Sequence, residues 1–258
     1  MGRQLERLQC LDSAISIYNQ ANNSASRERV ARILEKQQNS EACLALCLSM
    51  YQNPTNDEEY YFAAQFGARI AKKNGVTFPK APVYTPPQST LILATEDEHN
   101  VELVANAHFN RTSVSFYCEN SLFCTVFSLV YWDVIFAPVA SAFTHPFQSK
   151  PHDLYDSEFL ERRHAEYSKA QQLMQNEALF RSAVKSKWEE KHGLSCSLCY
   201  WQYMPWELVE LAISRIPLQH WQAIFERMWS DLKNNRNGFP DLIVFNENDY
   251  RLVEIKGP

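Results

Sequence analysis

The final stretch, Gly238 to Pro258, leaves this chain the fewest choices. Two β-rich runs, Leu242 to Phe245 and Tyr250 to Ile255, flank the polar tip Asn246-Glu-Asn-Asp249. That pattern predicts a β-hairpin closed by a turn of about four residues. Pro240 lacks a backbone N–H and fits only at the start or edge of the first strand. With the tip centred between Glu247 and Asn248, Phe245 faces Tyr250, and counting outward sets Asp241 opposite Glu254. Side chains alternate along a strand, so Glu254 and Lys256 share a face.

Asp241, Glu254 and Lys256 are therefore expected at one patch at the open end of the hairpin. Two carboxylates directly opposite each other repel. A divalent cation between them removes that cost, and hard oxygen ligands on a small open site suit Mg²⁺ or Mn²⁺. The plain alternative is a solvated, charged hairpin edge, which is common in folded proteins.

The chain has 258 residues, enough for one large domain or two modest ones, and 45% of them are hydrophobic. A net charge of −5 gives no global signal for nucleic acid, so a DNA-binding activity needs a local basic surface. Seven cysteines are an odd number without a disulfide framework, which favours a reducing setting. Cys196-Ser-Leu-Cys199, with His192 ahead of it, has no second pair to complete a structural zinc site. Cys43 and Cys47, one helical turn apart, read as core. The apolar run Ser121 to Phe136 is too short to cross a membrane and reads as a buried helix, so no membrane partner is expected.

Residues 1–77 read as all helix. Leu5, Leu8, Leu11, Ile15 and Tyr18 recur at helical spacing as one element. Helices over Ser26 to Gln37, after Asn39-Ser40 and after Asn56-Asp57 follow, the last ending at the cationic Lys72-Lys73-Asn74-Gly75. Such pairs of short helices predict a helical-repeat (tetratricopeptide-like) region, with a generic helical bundle as the alternative. Residues 78–100 are a proline-rich linker and lead-in, including the polar run Thr95-Glu-Asp-Glu-His99. Residues 101–258 form the remaining domain. It opens with a helix through Val101, Leu103 and Val104, followed by a strand or helix approach at Ser113 to Phe116. Glu119 stands just before the apolar run. It either complements the helix dipole there or supplies a third carboxylate to the hairpin patch. Helices fill residues 166 to 233. Lys185, Lys187 and Lys191 cluster on one of them, and Arg227, Lys233, Arg236 and Arg251 lie near the hairpin in sequence. These bases are candidate phosphate contacts or plain solvated faces.

Pro240-Asp241 and Glu254-Ile255-Lys256 resemble the PD-(D/E)xK nuclease signature. Gly238-Phe-Pro-Asp-Leu with Val253-Glu-Ile-Lys-Gly-Pro258 resembles its VRR-NUC branch. Glu119-Asn-Ser-Leu-Phe, Leu129-Val-Tyr-Trp-Asp-Val-Ile-Phe-Ala-Pro138, Pro146-Phe-Gln, Asp153-Leu-Tyr and Phe159-Leu-Glu-Arg-Arg163 are similar to Fanconi-associated nucleases. The resemblance implies an α+β/α/β fold: a helical-repeat region, then a restriction-endonuclease-like core with a mixed sheet flanked by helices. It implies catalysis by Asp241, Glu254 and Lys256. Mg²⁺ or Mn²⁺ is expected on Glu119, Asp241, Glu254 and the Ile255 carbonyl, with Lys185, Lys187, Lys191 and Arg236 on DNA. The implied activity is a hydrolase, a phosphodiesterase I-type endonuclease or 5′–3′ exonuclease. It acts on branched DNA with 5′ flaps in interstrand crosslink repair, leaving a 5′-phosphate and a 3′-hydroxyl, with protein partners on the repeats. VRR-NUC domains continue with a helix and further strand past the position of Pro258, so the resemblance implies a domain lacking its last strand and helix. A bacterial, cytoplasmic member is expected, or a nuclear one if the source is eukaryotic. Two other readings remain: a related nuclease such as a junction resolvase, and a non-catalytic helical-repeat module with a nuclease remnant.

Overall fold

The structure is a computed structural model. It describes residues 1–82, 85–93, 100–247 and 249–257. The polar run Thr95 to His99, Asn248 of the hairpin tip and the terminal Pro258 lie outside the described residues. The chain divides into two compact units, Met1–Ser89 and Thr90–Pro258.

The first unit holds α1 (Gly2–Arg7), α2 (Leu11–Ala21), α3 (Ser24–Lys36), α4 (Ser40–Gln52) and α5 (Asp57–Lys73). Polar caps start three of them. The side chains of Asn23, Asn39 and Asn56 accept from the backbone N–H of Ser26, Ala42 and Glu59, satisfying donors that a helix start leaves open. The expected single first helix is two. Gln9 takes a left-handed φ of 59° and turns the chain between α1 and α2, which helical periodicity alone does not reveal. Ala31, Cys43, Cys47, Phe66 and Ile70 form the core of this unit.

The second unit opens with α6 (Val101–Phe109) and β1 (Val114–Tyr117), then α7 (Ser121–Val130) and α8 (Trp132–Ile135). The apolar run is thus two helices, because Tyr131 breaks the first one at φ −102° and ψ 20°. Nine of the ten α7 residues are buried, Leu122 through Val130. Burying a large apolar side chain is worth roughly 1.5–3 kcal/mol, so α7 is the axis of this core. No helix is long and apolar enough to cross a membrane among the described residues. A loop with a short 3₁₀ turn at Glu161–Arg163 leads to α9 (His164–Leu173), α10 (Glu177–Lys191), α11 (Trp206–Arg215), α12 (Leu218–Ser230) and α13 (Leu232–Asn235). Phe180, Val184, Trp221 and Phe225 from these helices pack into the same core as α7.

β2 (Leu242–Phe245) and β3 (Tyr250–Val253) complete a three-stranded sheet in the order β1-β2-β3. Both pairings are antiparallel, Val114 facing Phe245 and Phe245 facing Tyr250. The expected mixed sheet is therefore corrected to an antiparallel one among the described residues. The four-residue tip forces β2 and β3 antiparallel, and a parallel neighbour would need a crossover connection. All four β2 residues are buried. Ile243 and Phe245 join the helical core, while α6 packs on β1 and β2. The Ser113 hydroxyl donates to the Asn246 side-chain oxygen at 3.0 Å, tying the start of β1 to the hairpin tip.

Candidate active site

The hairpin register follows the sequence count. Leu242 pairs with Val253, so Asp241 and Glu254 are the next residues outward on facing chains. The ladder has ended there, and the Asp241 side chain takes over as its next rung, Oδ2 accepting from Ile255 N–H at 2.8 Å. Gly238, at φ 85°, makes the left-handed turn that admits Phe239-Pro240 and sets Asp241 at the mouth of β2. Phe239 stacks on Phe123 of α7, with ring centroids 4.5 Å apart.

Asp241 also fixes Glu119. Its carbonyl oxygen accepts from both Cys118 N–H at 2.9 Å and Glu119 N–H at 3.0 Å. Glu119 takes a left-handed φ of 30° between β1 and α7. Glu119 directly precedes Asn120, the N-cap of α7, and makes no side-chain cap there; its carboxylate is engaged by its neighbours instead. Tyr117 Oη donates to its Oε2 at 2.7 Å, and Asn120 Nδ2 donates to its Oε1 at 3.2 Å. Lys256 Nζ pairs with Glu254 Oε1.

The electrostatics report crowded acids. Burial raises the Asp241 pKa, the Ile255 N–H opposes this, and Glu254, Glu102 and Glu119 raise it further. The hydrogen bond to Glu119, with burial, pushes the Tyr117 hydroxyl up to about 12. The Glu254 carboxylate raises the Lys256 pKa and keeps its ammonium charged. Four carboxylates thus act on one patch with one lysine. Glu102, in the first turn of α6, went unnoticed in the sequence, as did Tyr117 and Asn120. The only sequence signal for Glu102 was its place at the start of a helix. Nothing in the sequence ties that helix to a hairpin more than a hundred residues later.

The donor set fits a hard divalent cation, being carboxylate oxygens whose mutual repulsion such an ion relieves. As they stand, Glu119, Asp241 and Glu254 are each engaged by partners of their own. No three His, Cys, Asp or Glu side chains form a metal-holding group among the described residues. The other candidates lie elsewhere. Lys187 pairs with Asp133 at 2.9 Å and with Glu190 at 3.4 Å, and Lys191 pairs with Glu190 at 2.8 Å. Lys185 is exposed on α10. The Arg236 guanidinium lies over the Tyr155 ring at 5.8 Å, just ahead of Gly238.

Residues 175–258 match the VRR-NUC domain. The chain is 32% identical over 260 aligned positions to the Fanconi-associated nuclease 1 homolog of Pseudomonas aeruginosa, covering 98% of this chain and 46% of that protein. It is 28% identical over 177 positions to zebrafish (Danio rerio) Fanconi-associated nuclease 1, of which it spans 18%. The crystal structure of paFAN1 bound to 2nt 5′ flap DNA with a gap superposes at a TM-score of 0.78 and 31% identity, over 99% of this chain and 47% of that one. The complex with 1nt 5′ flap DNA gives 0.76 and 30%. The chain spans about half the length of the bacterial relative it matches. Its sequence, its fold and the VRR-NUC match across the hairpin agree: the chain belongs to the Fanconi-associated nuclease family.

Proposed function

We propose that this chain carries the catalytic centre of a metal-dependent, structure-specific DNA nuclease that hydrolyses phosphodiester bonds at 5′ flaps. The observation that carries this reading is the knot at Asp241. Its carbonyl holds the Glu119 backbone and its carboxylate holds Ile255, bringing Glu119, Asp241 and the Glu254-Ile255-Lys256 strand to one place. The relatives bound to 5′ flap DNA supply the substrate class.

Glu119, Asp241, Glu254 and the Ile255 carbonyl would hold Mg²⁺ or Mn²⁺. When bound, the ion polarises the scissile phosphate and lowers the pKa of water. Lys256, kept cationic beside Glu254, orients the attacking water and offsets the charge that develops on the phosphoryl oxygens. Arg236, Lys185, Lys187 and Lys191 contact phosphates along the strand. Endonuclease and 5′–3′ exonuclease action, a role in interstrand crosslink repair, and partner binding through a tetratricopeptide-like region at 1–77 complete the proposal. The nuclease domain is taken as 101–258, and the setting as bacterial cytoplasm.

The test is cleavage of a labelled 5′-flap duplex with Mn²⁺, beside a four-way junction of the same sequence. Lys256→Ala and Glu254→Gln are each expected to lower flap cutting by at least about 100-fold. Equal cutting by Lys256→Ala would sink the mechanism, and preference for the junction would reassign the substrate.

A further inference from the structure

Glu119 is held with more care than a surface carboxylate requires. Its backbone is turned to φ 30° and pinned by the Asp241 carbonyl. Its two carboxylate oxygens have separate donors, Tyr117 Oη at 2.7 Å and Asn120 Nδ2 at 3.2 Å. The other end of the Asn120 carboxamide faces the opposite way, where Oδ1 accepts from Phe239 N–H at 3.1 Å. That backbone donor fixes which end of the amide is oxygen, so Nδ2 must face Glu119. Asn120 thereby bridges Glu119 to the segment two residues before Asp241. Phe239 is itself held by its stack on Phe123.

We propose that Tyr117 and Asn120 are positioning residues that hold the Glu119 carboxylate in register with Asp241 for a divalent cation. This rests on the metal-dependent reading above. A glutamate side chain has three rotatable bonds, and fixing such a side chain costs rotamer entropy. Two donors supplied by the fold meet that cost before an ion arrives, which is preorganisation. Neither donor displaces the ion, because each carboxylate oxygen has two lone pairs and the hydrogen bond uses one. Outer partners of this kind typically change metal affinity by about 10–100-fold. Tyr117 is 40% exposed at the end of β1, so its hydroxyl contributes little to the core.

Direct titration of the 258-residue chain with Mn²⁺, without DNA, tests this by the electron paramagnetic resonance signal of the free ion, with thermal melts alongside. Tyr117→Phe and Asn120→Ala are each expected to weaken Mn²⁺ binding about tenfold. The Tyr117→Phe melting temperature should stay within a few degrees of the wild type, and Glu254→Ala should bind far more weakly than either. Binding by Tyr117→Phe equal to or tighter than that of the wild type overturns the positioning role and leaves the nuclease reading standing. A wild-type chain that binds no Mn²⁺ removes the metal site and the positioning role together. If Asn120→Ala does not fold, Tyr117→Phe decides, since it deletes one exposed hydroxyl.

Discussion

Glu119 accepts a backbone conformation that glycine adopts freely and other residues adopt at a cost of about 1–3 kcal/mol. The conformation persists because three hydrogen-bonded segments meet around it. Removing the side chain in two ways separates the cost from the purpose. Glu119→Gly is expected to be more stable than Glu119→Ala by about 1 kcal/mol in urea denaturation, while both lose metal binding. Equal midpoints would mean that the turn carries no strain. At this scale the sequence was partly legible. Opposing Asp241 to Glu254 needed only a count outward from the tip, because side chains in a hairpin keep a period of two. Tyr117 and Asn120 were not legible, since they meet Glu119 only after its φ turns positive, and no pattern of residue types announces that at a glutamate.

Among elements, the loop between α8 and α9 depends on an ion pair that hydropathy hides. Arg163 is fully buried, and its guanidinium binds Asp153 twice at 2.9 Å. Arg162 adds a third bond to Asp153 at 2.7 Å. Burial pushes the Asp153 pKa up, but the Arg163 and Arg162 charges outweigh it and leave it lowered. A depressed carboxylate contributes stability that is complete above the ordinary carboxylate range and lost as pH falls through the lower folded value. Asp153→Asn is therefore expected to cost about 3 kcal/mol at neutral pH, where it strands a buried guanidinium. The gap to the wild type should close only in strong acid, as followed by tryptophan fluorescence against pH. A pH-independent gap would refute the assignment. The sequence offered Asp153 and Arg163 only as parts of a resemblance, because arginine is ordinarily a surface residue. Helix starts were easier to read, since Asn39 and Asn56 cap the helices they precede. The break at Gln9 was missed because the leucine spacing continues through it.

For the whole molecule, the division into Met1–Ser89 and Thr90–Pro258 places Glu119, Asp241, Glu254 and Lys256 in one unit. A chain starting at Thr90 is expected to bind Mn²⁺ within about twofold of the full chain, since all of the proposed ligands and their partners lie in that unit. A larger loss would assign the first unit a part in the site. The strand directions, by contrast with the hairpin register, needed coordinates. The rung formed by Asp241 and Ile255 also affects how an inactive protein can be made. Alanine at 241 deletes a proposed ligand and also removes the hydrogen bond that holds Ile255, between Glu254 and Lys256, so silence in such a variant confounds lost chemistry with lost architecture. Asparagine keeps an oxygen for the Ile255 amide and gives up only the charge, which makes Asp241→Asn the clean blank for this fold.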